Sequence, residues 1–177
     1  MSKQLNCEVI ELKEDRIFLG LKKTVCETTM FKDAQKLAKD YATMKTRITH
    51  LCHPVHTALI TFSKKDNGEF DCFMGDEVHF IDKSEDPMQY IVLSKGTCMA
   101  KVKVRVGSQM TLSYRVAGIR KQFYTKWLKL HGYVSASPFE DMELYHYRRR
   151  KFRKSTKMVM ELYFFIQKKE TKKNSQG

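Results

Sequence analysis

A chain of 177 residues, 42% of them apolar, holds enough hydrophobic material for one folded domain, or two small ones sharing a core, and is not a disordered composition. The net charge of +13 raises nucleic acid as a partner, yet such charge equally serves solubility, and nucleic-acid binding is disfavoured. The apolar runs are too short to span a membrane, Met1–Gln4 lacks a signal-peptide core, and five scattered cysteines (Cys7, Cys26, Cys52, Cys72 and Cys98) read as free thiols of a cytoplasmic protein.

In chain order, Cys7–Val25 predicts a strand pair or one long bent strand, with Gly20 allowing a bulge or kink. Thr28 and Thr29 offer N-caps to a helix from about Met30 to Ile48. Phe31, Ala34, Leu37, Ala38, Tyr41, Met44 and Ile48 recur there at spacings of three and four. His50–His56 places His50, Cys52, His53 and His56 close together, but the spacing fits no paired metal template and Pro54 makes a turn. The segment reads as a polar loop, and no metal is expected. Ala58–Ser63 and Glu69–Val78 form a hairpin about Asn67-Gly68, and Phe80–Pro87 is a linker.

After Pro87 the pattern returns. Tyr90–Val104 is a strand pair or bent strand with Gly96 at its middle. Ser108 or Thr111 caps a second helix, Leu112–His131. Its stripe is Val116, Ile119, Phe123, Trp127 and Leu130, widened by Tyr124 and Leu128, and Gly132 stops it. A strand Phe139–Tyr147, a basic loop Arg148–Lys154 read as solvated, a strand Lys157–Gln167 and a frayed basic tail 170–177 complete the chain. Strand, helix, strand, strand occurs twice. This predicts an α+β domain over 1–169, with halves of about 5–84 and 88–169. The two βαββ modules would be related by a pseudo-twofold axis, their antiparallel sheets around a central ligand cleft and their helices packed on the other side.

The last strand carries the candidate chemistry. Met158, Met160, Leu162, Phe164 and Ile166 share one face; Val159, Glu161, Tyr163 and Phe165 share the other. A lone carboxylate in such a row costs free energy unless a cation or a hydrogen-bond donor meets it. Strand 139–147 likewise divides into Met142, Leu144 and His146 against Glu143, Tyr145 and Tyr147. Paired as a hairpin, the strands are expected to turn their aliphatics to the second helix. Glu143, Tyr145, Glu161 and Tyr163 then form one wall, suited to an aromatic or cationic small molecule.

Several segments resemble the GyrI-like family, the effector-binding domain also found at the C-terminus of AraC-type and MerR-type multidrug regulators. They are Phe70-Asp-Cys-Phe-Met-Gly-Asp-Glu-Val78, Lys95-Gly-Thr, Trp127-Leu with Gly132-Tyr133, Phe139-Glu140 with Met142-Glu-Leu-Tyr145, and Met160-Glu-Leu-Tyr163. The resemblance covers about Cys7 to Gln167. It implies two modules around a cleft and a buried glutamate near the last strand that contacts ligand, a position Glu161 matches. Phe73, inside the first segment, completes the ligand-binding set. The chain departs from the family at Cys98-Met-Ala, where Tyr-Ala is common, and at Phe165-Ile-Gln, where Pro is usual, so the ligand's identity does not carry over. With the first strand so near residue 1, a stand-alone member is expected.

The expected function is capture of a hydrophobic or cationic small molecule, with no cofactor. The alternatives are a hydrolase of reactive compounds with Glu161 and Glu143 as catalytic candidates, or a modulator of a protein or nucleic-acid partner through the basic loop. No Ser-His-Asp order, nucleophile elbow or phosphate loop is present.

Overall fold

A computed structural model describes residues 5–82, 87–104, 109–149 and 156–169. Most of the loop Arg148–Lys154, the capping candidate Ser108 and the tail 170–177 lie outside these residues. The elements are β1 (Glu8–Glu11), β2 (Arg16–Cys26), α1 (Met30–Lys45), β3 (His56–Phe62), β4 (Glu69–Val78), β5 (Gln89–Leu93) and β6 (Cys98–Val104). Next comes α2 (Gln109–Gln122), running through a π-helical turn, Phe123–Trp127, into α3 (Leu128–His131). Then follow β7 (Tyr133–Ser135), β8 (Phe139–Arg149) and β9 (Thr156–Lys168). No helix among the described residues is long and apolar enough to cross a membrane.

Local chemistry explains most boundaries. Gly68 and Gly96 take positive φ (81° and 85°) where the β3–β4 and β5–β6 connections reverse, and Gly132 (71°) ends α3 in the left-handed conformation. Three expectations need correction. Thr29 precedes α1 but makes no side-chain cap; its hydroxyl turns back toward the Cys26 carbonyl. Gly20 is no bulge, because β2 and β4 pair without a break from Ile17–Val78 to Cys26–Glu69. Gly20 lies opposite Gly75, and a Cβ on Gly20 would sit 2.0 Å from the Met74 carbonyl oxygen. Leu130 is 72% exposed while Leu128 is buried, because the wide π turn shifts the apolar stripe by about one residue.

The antiparallel sheet runs β1-β6-β9-β8-β3-β4-β2-β5, with β7 beside β9. The order reads alike from both edges when β1, β2, β3 and β4 are exchanged for β5, β6, β8 and β9. β1 and β2 lie toward opposite edges, yet only residues 12–15 join them, a link of at most roughly 18 Å. The sheet must therefore coil. Its ends meet where Leu12 exchanges backbone hydrogen bonds with Gly96 (2.9 Å) and Thr97 (3.0 Å).

Coiling gives the sheet two buried faces. Phe18, Ile60, Phe73, Met142, Leu144, Tyr163 and Phe165 fill the inner one, which no helix covers. On the outer face α1 buries Leu37 and Tyr41 against Leu19, Phe70 and Met74. The second helix buries Val116, Phe123 and Trp127 against Met160, Leu162 and Phe164, as the aliphatic row of β9 predicts. Phe123 stacks on Phe164 at 3.8 Å between ring centroids.

Candidate functional site

The β8–β9 register decides which predicted residues meet. Glu143 lies opposite Leu162, and Leu144 opposite Glu161. Opposed residues share a face, so Glu143 and Tyr145 stand on the outer, helix-covered side while Glu161 and Tyr163 stand on the inner side. The single wall of four residues expected from sequence does not form. That expectation assigned one core face to the hairpin; the coiled sheet has two. The inner core takes Met142 and Leu144, the outer core takes Met160, Leu162 and Phe164, and the rows interleave in opposite phase.

On the outer side, α1 and α2 stand apart over β3 and β8 and leave a cavity of about 700 Å³. Ala38, Leu59, Met74, Leu112 and Val116 supply apolar walls; Arg120, Glu143, Tyr145, Lys45 and Thr57 supply polar groups. Arg120 grips Asp141 with Nε and Nη2, both at 2.8 Å, and donates from Nη2 to Glu143 Oε1 at 2.8 Å. The Tyr145 hydroxyl donates to the other Glu143 oxygen. Burial pushes the Glu143 carboxyl up, against the pull of Arg120 and Tyr145. Burial works against the Arg120 charge as well, but Asp141 and Glu143 outweigh it and keep the guanidinium protonated. At the opposite wall Lys45 pairs with the buried Asp76 and donates to the His56 carbonyl and to Thr57 Oγ1, both at 3.1 Å. Burial also holds Asp76 above the ordinary carboxylate range despite Lys45. With Asp76, Asp141 and Glu143 all ionised, the Lys45 and Arg120 cations leave one negative charge over; of these three carboxylates, Glu143 is the one in the cavity wall.

On the inner side, Glu161 receives Lys101 Nζ at 2.9 Å and the Tyr163 hydroxyl at 2.7 Å. Partial burial raises its pKa, and those two donors more than reverse the effect, leaving it below the ordinary value. The cation that its sequence setting demands is thus internal. Tyr163 and Phe73 are 4% and 0% exposed in the inner core. Of the five sequence candidates, Glu143 and Tyr145 line the cavity; Glu161, Tyr163 and Phe73 lie across the sheet from it. In the His50–His56 segment, His50 stacks on Phe80 at 4.3 Å and His56 meets His146 edge-on at 4.1 Å. Among the described residues no three side chains are grouped to hold a metal.

Sequence reasoning missed Arg120, Asp141, Lys45 and Asp76. Asp76 had the signal that drew attention to Glu161, a lone carboxylate in the apolar row Cys72, Met74, Asp76, Val78. Arg120 had a weaker one, a cation at the border of the helix stripe.

No protein-family model matches the chain, and no curated protein matches it in sequence. Solved structures do match. SAV2435 bound to tetraphenylphosphonium aligns over 92% of this chain and 94% of its own, with TM-score 0.64 and 8% identity. The EcmrR C-terminal domain aligns over 95% and 99%, with TM-score 0.57 and 16% identity. An integron cassette protein from Vibrio cholerae aligns over 91% and 95%, with TM-score 0.51 and 8% identity. At such identities the likeness is one of fold alone, an α+β fold consistent with the GyrI-like one.

Proposed function

We propose that this chain is an effector-binding module whose outer cavity captures a hydrophobic small molecule bearing a positive charge. The observation that carries the reading is Glu143, a buried carboxylate in the wall of a largely apolar cavity of about 700 Å³. Burial makes charge on Glu143 costly, and a cation seated beside it lowers that cost. The apolar walls receive the rest of the ligand, and Tyr145 holds Glu143 in the same wall through its hydroxyl. The match to a structure holding tetraphenylphosphonium supports the same ligand class. All five cysteines are free, which suits action in the cytoplasm.

The test is calorimetric titration of tetraphenylphosphonium into the parent and three variants. Glu143→Gln should weaken binding by about tenfold or more, since a charge-assisted contact is worth roughly 1.5–3 kcal/mol. Ala38→Trp should abolish binding by filling the cavity. Glu161→Gln, whose side chain does not line the cavity, should cost distinctly less than Glu143→Gln. Equal binding by parent and Glu143→Gln, or a greater loss in Glu161→Gln than in Glu143→Gln, would reject the outer cavity as the site.

A further inference from the structure

Thr57 and Tyr145 oppose each other across β3 and β8, and both line the cavity. Their chain neighbours His56 and His146 oppose each other one step along, on the inner face. His146 Nδ1 lies 2.9 Å from His56 Nε2, and His146 Nε2 lies 3.4 Å from Glu161 Oε2. With both imidazoles neutral, one arrangement satisfies the contact between them: His56 Nε2–H donates to His146 Nδ1, and His146 Nε2–H faces the carboxylate at 3.4 Å without a hydrogen bond to it. A first added proton fits. It makes His146 an imidazolium beside Glu161, while His56 shifts to its other tautomer and accepts. A second proton does not fit, because two N–H groups and two like charges then meet at 2.9 Å.

The surrounding charges offer the second proton no relief. Arg16 of β2 is bound at both ends to Glu77 of β4, each contact 2.7 Å. His53, just before β3, adds positive charge when protonated. Lys101 and Lys103 of β6 and Tyr163 of β9 surround Glu161, with Glu8 of β1 near Tyr163. Lys45 of α1 reaches the His56 carbonyl from the cavity side while paired with Asp76. In keeping with this, burial, reinforced by His146 and His53, holds the His56 imidazole down at about 4.

We propose that His56, His146 and Glu161 form a proton-operated clasp directly behind the cavity floor. It is closed when the histidine pair carries at most one proton and open when it carries two, and opening slackens the Thr57–Tyr145 seam and weakens ligand capture. The effect on capture rests on the cavity reading above; the clasp itself does not.

The first test needs no ligand. Imidazole resonances of the full chain are titrated by NMR from about pH 8 to about pH 3, together with the backbone amides of Thr57 and Tyr145. The pair should titrate in two macroscopic steps separated by more than about one unit, with both amides following the lower step. In His56→Gln and His146→Gln the remaining imidazole should titrate in one step, and the low-pH response of the amides should vanish. Independent titration of both histidines near the ordinary value of about 6.5, or amides indifferent to the lower step, overturns the proposal.

The second test compares tetraphenylphosphonium affinity at about pH 7.5 and about pH 3, below the His56 titration at about 4, where most of the pair carries two protons. The parent should lose at least roughly fivefold more than His56→Gln, whose residual loss reports protonation of Glu143. Equal losses overturn the link to the cavity. If nothing binds at either pH while the two-step titration persists, the cavity reading fails and the clasp stands.

Discussion

Replacing Arg120 with leucine is the most exacting perturbation of the outer site. The change leaves Asp141 and Glu143, whose side chains are 3% and 9% exposed, without their shared cation. Removing one partner of a buried ion pair costs about 3–5 kcal/mol. For a chain of this size that corresponds to a fall in Tm of roughly 6–20 °C. The sign of the pH dependence follows from burial. Glu143 already titrates above the ordinary range, so what its titration adds to stability is present below the unfolded pKa and is lost as pH rises through the folded one. Without Arg120 the Glu143 carboxyl moves further up. The variant's deficit should therefore be fullest near neutral pH and shrink toward the ordinary carboxylate range near pH ~4. Urea unfolding followed by fluorescence of Trp127, the single tryptophan and 4% exposed, measures this at each pH. Adding Asp141→Asn and Glu143→Gln to the Arg120→Leu chain should recover more than half of the loss. A deficit below about 1 kcal/mol, or one equal at acid and neutral pH, would show that the carboxylates are hydrated and that no charge excess exists.

Three further outcomes are expected. Gly20→Ala must push β2 off the Met74 carbonyl and should cost at least about 1–3 kcal/mol by chemical denaturation, whereas a bulge at Gly20 would accept alanine. Phe123→Ala removes the ring stacked on Phe164 and should cost about 3–5 kcal/mol, with Tm as the readout. His56, depressed to about 4, contributes stability present above its unfolded pKa and lost as pH falls from about 6.5 toward that value; His56→Gln should flatten this limb of the Tm profile.

How far these features were legible depends on whether the signal is local. Asn67-Gly68 marks its hairpin and Gly132 its helix end because positive φ is a single-residue requirement. The β9 row Met160, Leu162, Phe164, Ile166 announces a buried face by alternation alone. The face that Glu143 shares is different. It depends on whether Glu143 meets Leu162 or Glu161 across the strands, a choice of one residue in register that leaves each strand's own pattern unchanged. What fixes it is the coil of the sheet, and the coil follows from a strand exchange in which β1 pairs with β6 of the other half and β5 with β2. No window of the sequence contains that exchange. For the same reason Glu161 invites an external cation on paper and finds Lys101, some sixty residues earlier in the chain, waiting on the adjacent strand.

The same strand order accounts for the position of the cavity. Each helix sits over the strands of its own half, α1 against β2 and β4 and the second helix against β6 and β9. The two strands at the centre, β3 and β8, belong to different halves, and neither helix reaches across both. A gap in the outer layer is thus a consequence of joining two such units through their third strands. Side chains there cannot be exposed as on a wet face nor packed as in a core, which is the setting where Thr57, Glu143 and Tyr145 are found. Because one pair of strands forms the floor of the gap and holds His56 against His146 on its reverse, any change in spacing on the inner face is transmitted to the outer one by the rigidity of the β3–β8 ladder. The cavity and the His56–His146 pair are two sides of one seam.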